Sequence, residues 1–554
     1  MYKSEYLILI SGVLAACGSA TCPPGTRMVG EGCVMIAADV VGDRVDSGTM
    51  QLDAADVVSP PDDATDVVGD RGGDRCMDTD PPDDRGADDN CDGAEGVVAR
   101  SLYVVSATAS SGPRGDDSNT GTPGAPLATL REAARRAAMT GATHVYLAAE
   151  FTFESDGLAE LLAAGVSVYG TLDPTRNWQR ADGSLTRNPT VIAPPANGVV
   201  AVNFRSSLGY VVLRPSAMPD AQVNRTALVL EGVAAGARLD HVHLNSGSAR
   251  SALDAMAAPM AMTPSTHNGV AGTSSGTAGN PPTLPAPCGG RSDGAGAGRG
   301  GDSSSLRASS AGALGASGGA NGSGAAPDGR GGTAGSDGVR GAGGLGSTGV
   351  LSWNSASRSL VATLGGNGGI GDMGAGGGGG GAGASSNCLG STWFGGGGGS
   401  GGLGGCGGNG GFGGTTGGHS IGLVVVGATL PTFVDTRIQT GDGGAGGRGG
   451  EGGAGAPGGL GGAAGMRAAC ASPPAQLAGN GGAGGAGGRG GNGGGGGGGS
   501  GGSTIGLVWV NGTSSALPMG LTVTTGRPGN GGAGGTPDGQ NGRGGQVAEV
   551  LSVR

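Results

Sequence analysis

Short apolar runs recur along the chain from residue 102. They read LYVV at 102, HVYLA at 144, VSVYG at 166, TVIAPP at 190, VVAVNF at 199, YVVLRP at 210 and ALVLEG at 227. Val, Leu and Tyr within the runs and Gly, Pro and Asn between them predict strands. After residue 144 the pattern shows no intervening helix, so it predicts stacked parallel strands or a β-sandwich. A different period precedes it. Leu127, Leu130, Ala133, Ala134 and Ala137 recur at helical spacing, and Gly141 stands where a C-capping glycine would.

A longer repeat organises the C-terminal half of the chain. ALVLEGVAAGARLDHVHLNSG (227–247) and IGLVVVGATLPTFVDTRIQTG (421–441) have equal length, and IGLVWVNGTSSALPMGLTVTTG (505–526) is one residue longer. Each is an apolar strand, a turn and a second, alternating strand that closes on Ser or Thr and Gly. A Gly-rich tract comes after each closing Gly, so the tracts read as insertions at one corner of successive units.

Those tracts dominate the composition. Of 554 residues 133 are Gly, or roughly a quarter against about 7% in average proteins. In GGAGGRGGEGGAGAPGGLGG (443–462) the unit is Gly-Gly-X, with X being Ala445, Arg448, Glu451, Ala454, Pro457 and Leu460. Asn480, Ala483, Ala486, Arg489 and Asn492 hold the same place in a second run. Three residues per turn is the polyproline II period, which puts X on one edge and Gly on the other two. Bare faces let backbones approach until N–H and C=O groups bond between neighbours, offsetting the entropy lost in ordering glycine. Ser, Ala, Asp and Pro interrupt the triplets over 248–345, which predicts little regular structure there.

The first hundred residues are of another kind. An apolar stretch from Tyr6 to Ala16 is too short to span a bilayer but suits a secretory signal. Residues 39–75 are rich in Asp with Pro and Val, and a segment so charged has nothing to pack. Net charge is −11, which disfavours binding to nucleic acid. Nine cysteines are present. Setting Cys17 aside leaves an even number, as in an oxidising compartment, with Cys22 near Cys33 and Cys76 near Cys91 as local pairs. Cys388, Cys406 and Cys470 are candidate staples of the Gly tracts. Asp88, Asn90 and Asp92 match the first half of a calcium loop, but Ala99 stands at the twelfth position, where a Glu is needed. The alternative is an acidic, disulfide-closed linker without metal.

Four resemblances add to this. Leu14-Ala15-Ala16-Cys17 resembles the lipobox of bacterial lipoproteins, which implies cleavage before Cys17 and lipid on that residue. LYVVSATASSGPRGDDSNTGTPGAPLATLREA resembles the start of right-handed parallel β-helix proteins of the pectate-lyase-like group, in which a short helix lids the stack. The Gly tracts are similar to polyglycine II bundles and to the repeats of PE-PGRS proteins, although no PE domain is present. DDNCDG resembles acidic repeats thought to bind calcium.

Together these predict a mainly β protein, a right-handed parallel β-helix with an N-terminal capping helix, interrupted by polyglycine II-like tracts and preceded by a disordered acidic linker. The expected boundaries are a signal peptide at 1–16, a lipid-anchored Cys segment at 17–38 and the linker at 39–100. The β-helix occupies 101–247, with Gly-rich insertions at 248–420, 442–504 and 527–545. Coils at 421–441 and 505–526 separate the insertions, and a terminal strand occupies 546–554. The resemblances imply an exported protein, lipid-anchored at the bacterial outer membrane or cell surface, structural or adhesive, facing extracellular polysaccharide or matrix. A carbohydrate-active enzyme and a calcium-dependent matrix binder are the alternatives. For the enzyme, the best cluster is Asp240, His241 and His243, in which alternation puts the two histidines on one face. The equal-length copy carries Asp435 and Arg437 at those positions. His267 and His419 read as surface residues, and Trp178, Trp353, Trp393 and Trp509 are too sparse to define a sugar platform.

Overall fold

In a computed structural model of the chain, the described residues are 26–29, 32–35, isolated positions between 76 and 96, and 97–553. The exceptions within 97–553 are residues 111, 181–183, 216–223, 260–267, 283–287, 289–296, 306, 313–315, 324–326, 389–390 and 469–477. The chain forms two units, Met1–Gly73 and Asp74–Arg554. In the first, strands Thr26–Val29 and Gly32–Met35 pair antiparallel. The expected signal peptide, Cys17, Cys22 and residues 39–75 of the acidic linker fall outside the described residues, whereas Val98–Arg100 at the linker's end form a 3-10 turn.

The second unit is mainly β, built on three parallel sheets. The first sheet contains Ser101–Val104, His144–Ala148, Ser167–Asp173, Ser207–Gly209, Arg238–Asp240 and Thr432–Val434 in that order. The second contains Thr152–Glu154, Thr190–Ala193, Val211–Leu213, His243–Gly247, Thr436–Thr440 and Leu521–Thr524. The third contains Val199–Val202, Arg225–Glu231, Ser420–Val426, Thr504–Val510 and Val547–Val553. From residue 199 the chain visits third, first and second sheet in rotation, except that the last circuit passes from the third sheet to the second without a first-sheet strand, and each circuit pairs with the one before.

Stacking of like on like builds the core between the sheets. Leu208 pairs with Leu239 and Leu239 with Phe433. Leu213 pairs with Leu244 and Leu244 with Ile438. Leu228 aligns with Leu423, Leu507 and Val550 across the third sheet. All belong to one buried cluster. Each buried Leu or Ile contributes about 1.5–3 kcal/mol by leaving water.

Two helices close on the same cluster. Helix α1 (Leu130–Thr140) starts at Thr129, whose side chain accepts from the Glu132 N–H, and ends at Gly141, with φ 72°. It buries Leu130, Ala133 and Ala137. Arg135, and then Arg136, hold the half-buried Glu132 carboxyl down at about 2. Helix α2 (Leu158–Ala164) buries Leu158, Leu161 and Leu162. The expectation that no helix intervenes after residue 144 is therefore corrected. Seven residues between two glycines are too few to register as a helical period, yet the strand at Val199–Val202 provides a surface for them to pack on.

The corners carry a second regularity. Between the first and second sheets stand Tyr210 (φ 54°), His241 (φ 51°) and Asp435 (φ 37°), and Gly520 (φ 80°) precedes the second-sheet strand of the last circuit. A left-handed residue turns the strand sharply. The Tyr210 N–H donates to Asp240 O at 2.9 Å and the His241 N–H to Val434 O at 2.8 Å, joining each corner to the next.

Candidate functional site

The Gly-rich tracts leave from strands of the second sheet and return on strands of the third. They lie against one another through main-chain hydrogen bonds with a three-residue period. From Gly444 to Gly465 every third N–H donates to the antiparallel segment 418–397, ending with Gly465 to Gly397 O, at 2.7–2.9 Å. The carbonyls of the same residues accept from every third residue between Gly502 and Gly481, also at 2.7–2.9 Å. The parallel pair 396–420 and 479–503 is bonded in the same way, from Gly396 to Gly479 O through Ser420 to Ser503 O.

Close approach is what requires glycine here. A Cβ on Gly490 would lie 2.0 Å from Cys406 O, and one on Gly405 would lie 2.0 Å from Ala456 O. At X the side chains have room. Arg448, Glu451, Ala454, Pro457 and Leu460 are exposed, whereas Gly447, Gly450, Gly453, Gly459 and Gly462 are buried.

Where X itself becomes glycine, a further strand covers it. Ala483, Arg489 and Asn492 are exposed, but residues 493–503 are all buried. There Gly495, Gly498 and Gly501 donate to Pro537, Gln540 and Arg543 carbonyls, while Gly529, Gly532 and Gly535 donate back to Gly502, Gly499 and Gly496. Segments 366–369, 409–418, 444–450 and 342–347 complete the ring around 494–502.

Within 248–345, the described residues 249–258 and 329–345 correct an expectation. Gly329 through Ser347 donate at every third residue to 480–498, and Ala249, Ala252, Ala255 and Ala258 donate to 442, 445, 448 and 451. The interrupting residues act as acceptors for edge N–H groups. Ser248 and Ser251 Oγ accept from the N–H of Asp442 and Ala445, and Asp254 Oδ1 from that of Arg448. Asp328 and Asp337 do the same for Asn480 and Arg489. The signal is present in the sequence as Ser248, Ser251 and Asp254 at a spacing of three. A count of glycine alone passes over it.

Among the staples, Cys406 is bonded to Cys288, 118 residues earlier. Cys388 ends a short strand, and Cys470 lies outside the described residues. Cys76 is bonded to Cys91. His419, expected at the surface, is 1% exposed. Its Nδ1 accepts from the Ser503 N–H at 2.9 Å, and burial lowers its pKa to about 4. It sits where a Gly tract re-enters the third sheet, so the tract itself covers the ring. Trp178 is also buried, with Nε1 donating to Pro123 O, and offers no face to a sugar.

The histidine cluster is divided. The left-handed turn at His241 breaks the alternation, so His241 lies at the corner and His243 on the second sheet. His241 stacks on Tyr210 with ring centroids 4.7 Å apart, and its Nδ1 lies 2.8 Å from Asp240 Oδ1. His243 pairs with Arg437 and Arg437 with Thr522, while Asn245 pairs with Gln439 and Gln439 with Thr524. These two polar rows line a shallow groove of ≈ 350 Å³, with Leu244 and Ile438 turned toward the core. Burial, then the Arg437 charge, lower the His243 pKa.

At the calcium-like motif, Asp88 lies outside the described residues. Asn90 Nδ2 donates to Asp92 Oδ2 at 3.0 Å, and that same oxygen accepts from the Val98 N–H at 2.8 Å. Among the described residues no cluster of three or more His, Cys, Asp or Glu is placed to hold a metal ion. No described helix is long and apolar enough to cross a membrane. The chain matches no protein-family model, no curated protein and no solved structure.

Proposed function

We propose that this protein is a structural or adhesive component of a bacterial surface, lipid-anchored through Cys17. In this reading the three-sheet unit is a right-handed parallel β-helix, and the bonded Gly tracts form a polyglycine II array projecting from one of its corners. The rotation of the chain through three parallel sheets supports the first part, since parallel crossovers are right-handed in nearly all proteins. The observation that carries the proposal is the three-residue hydrogen-bond period linking Gly444–Gly465 to both of its antiparallel neighbours. An array tied in that way holds its X side chains in fixed rows, as a binding surface needs. Extracellular polysaccharide or matrix would meet those rows and the polar face of the second sheet at His243, Asn245, Arg437 and Gln439. Calcium at Asp88, Asn90 and Asp92 would be an accessory to that binding.

Two measurements test this. Fatty-acid labelling in cells should mark the native chain and not Cys17→Ser. Purified protein should bind a polysaccharide or matrix panel, and Gly490→Val, which wedges the array apart, should weaken binding by about tenfold or more. Unlabelled native chain, or binding indifferent to Gly490→Val, would overturn the corresponding part.

A further inference from the structure

One line of the array is filled over half its length. Segment 316–322 lies along the seam between 327–347 and 365–384. Arg330 and Thr333 donate to Ala320 O and Ser317 O, and Gly319 and Gly322 donate to Gly379 O and Ala382 O. Farther along the same seam the two walls continue in register. Gly366, Gly369 and Asp372 donate to Leu345, Ala342 and Val339 carbonyls, as Gly378 and Gly381 do to Thr333 and Arg330. The three-residue period then fixes which groups face outward. They are the N–H groups of Val339, Ala342 and Leu345 on one wall, and the carbonyls of Asn367 and Ile370 on the other. Among the described residues none of these has a hydrogen-bond partner. Val339 is 69%, Leu345 66% and Ile370 55% exposed.

We propose that this open seam is a docking site for a glycine-rich edge strand from the array of a second copy of this chain. The proposal rests on the array reading above and extends it to association between molecules. The occupant's chemistry is set by the walls. It must accept from three N–H groups spaced three residues apart, donate to two carbonyls at the same spacing, and present small residues at the contact. Segment 316–322 meets that description in the adjoining half of the seam, and the array's own edge strands share its period. Val339, Leu345 and Ile370 add apolar contact along this stretch. An arrangement of this kind makes array-to-array growth a source of cohesion between molecules.

Sedimentation of the full-length chain over a concentration series, with amide exchange on the same samples, tests it. Reversible association is expected, with exchange at Val339, Ala342 and Leu345 slowing by about tenfold as it proceeds. Val339→Glu with Leu345→Glu should remain monomeric, whereas Ala454→Glu, on an exposed row elsewhere, should associate like the native chain. A chain monomeric at all concentrations overturns the proposal. So does association that survives the paired glutamates, or protection of the three amides already present at the lowest concentration, which would mean that the chain's own residues fill the seam. Failure of the array reading would show separately, as lost protection at Gly450 and Gly453.

Discussion

Asp254 Oδ1 accepts a hydrogen bond of 2.8 Å from the backbone N–H of Arg448, 194 residues later in the chain. Ser248 and Ser251 make the same contact with Asp442 and Ala445 at the same separation. One period of three thus runs through two distant segments, matching acceptors on one to edge donors on the other. Replacing Asp254 by Ala should speed exchange at Arg448 by about fivefold, the loss of one ordinary hydrogen bond. Exchange at Gly447, whose N–H donates to Thr415 O, should change little.

Substitution within the array should invert the usual effect of glycine replacement. Gly→Ala stabilises by about 0.4–1 kcal/mol where the native backbone accepts it. At Gly490 the added methyl would stand 2.0 Å from Cys406 O, so Gly490→Ala should destabilise by about 1–3 kcal/mol as an overpacked site. Ala454→Ser, at an exposed X position, should be neutral. Denaturant unfolding of both variants makes the comparison.

The array is legible in the sequence as a period, and its edges are not. Two bare faces and one decorated face are implied by Gly-Gly-X, and X is exposed at Arg448 through Leu460 as that period requires. Burial of Gly495 and Gly498 depends on a third tract arriving from residues 537–543, which no local pattern announces. Register shows a similar limit. The aligned copies pair as expected at His243 and Arg437, but in the preceding strand Leu228 faces Leu423, one residue off the equal-length alignment. A turn one residue longer in the first copy absorbs the difference. The histidine cluster fails for a related reason. Strict alternation presumes a continuous strand, and the left-handed residue at His241 ends it.

Burial of His419 predicts a pH dependence. Its folded pKa of about 4 lies below the ordinary 6.5, so on acidification the unfolded chain takes up the proton first. Stability from the neutral ring is fully present above about pH 6.5, falls between 6.5 and about 4, and levels off below. His144 and His243 shift the same way through burial. The His419 share is therefore read as the difference between native and His419→Asn melting curves across that range, because Asn keeps an acceptor for Ser503. Parallel curves would contradict the assignment.

The Cys288–Cys406 bond closes a loop of 118 residues. Loop closure on that scale stabilises by up to about 5 kcal/mol in the chain-entropy description. Cys288→Ala with Cys406→Ala should lower the denaturation midpoint and leave the Gly444–Gly465 pairing in place. A melting curve unmoved by the double substitution would show that the bridge does not constrain the unfolded chain.

Amide exchange across residues 449–454 of the oxidised chain bears most directly on the whole account. Gly449, Gly450, Gly452 and Gly453 donate to Ala533, Phe412, Thr536 and Asn409 carbonyls, while Glu451 and Ala454, at X, have no such partner among the described residues. Protection should keep a rhythm of three, slow at those four glycines and fast at Glu451 and Ala454. Uniformly fast exchange across the segment would contradict the account.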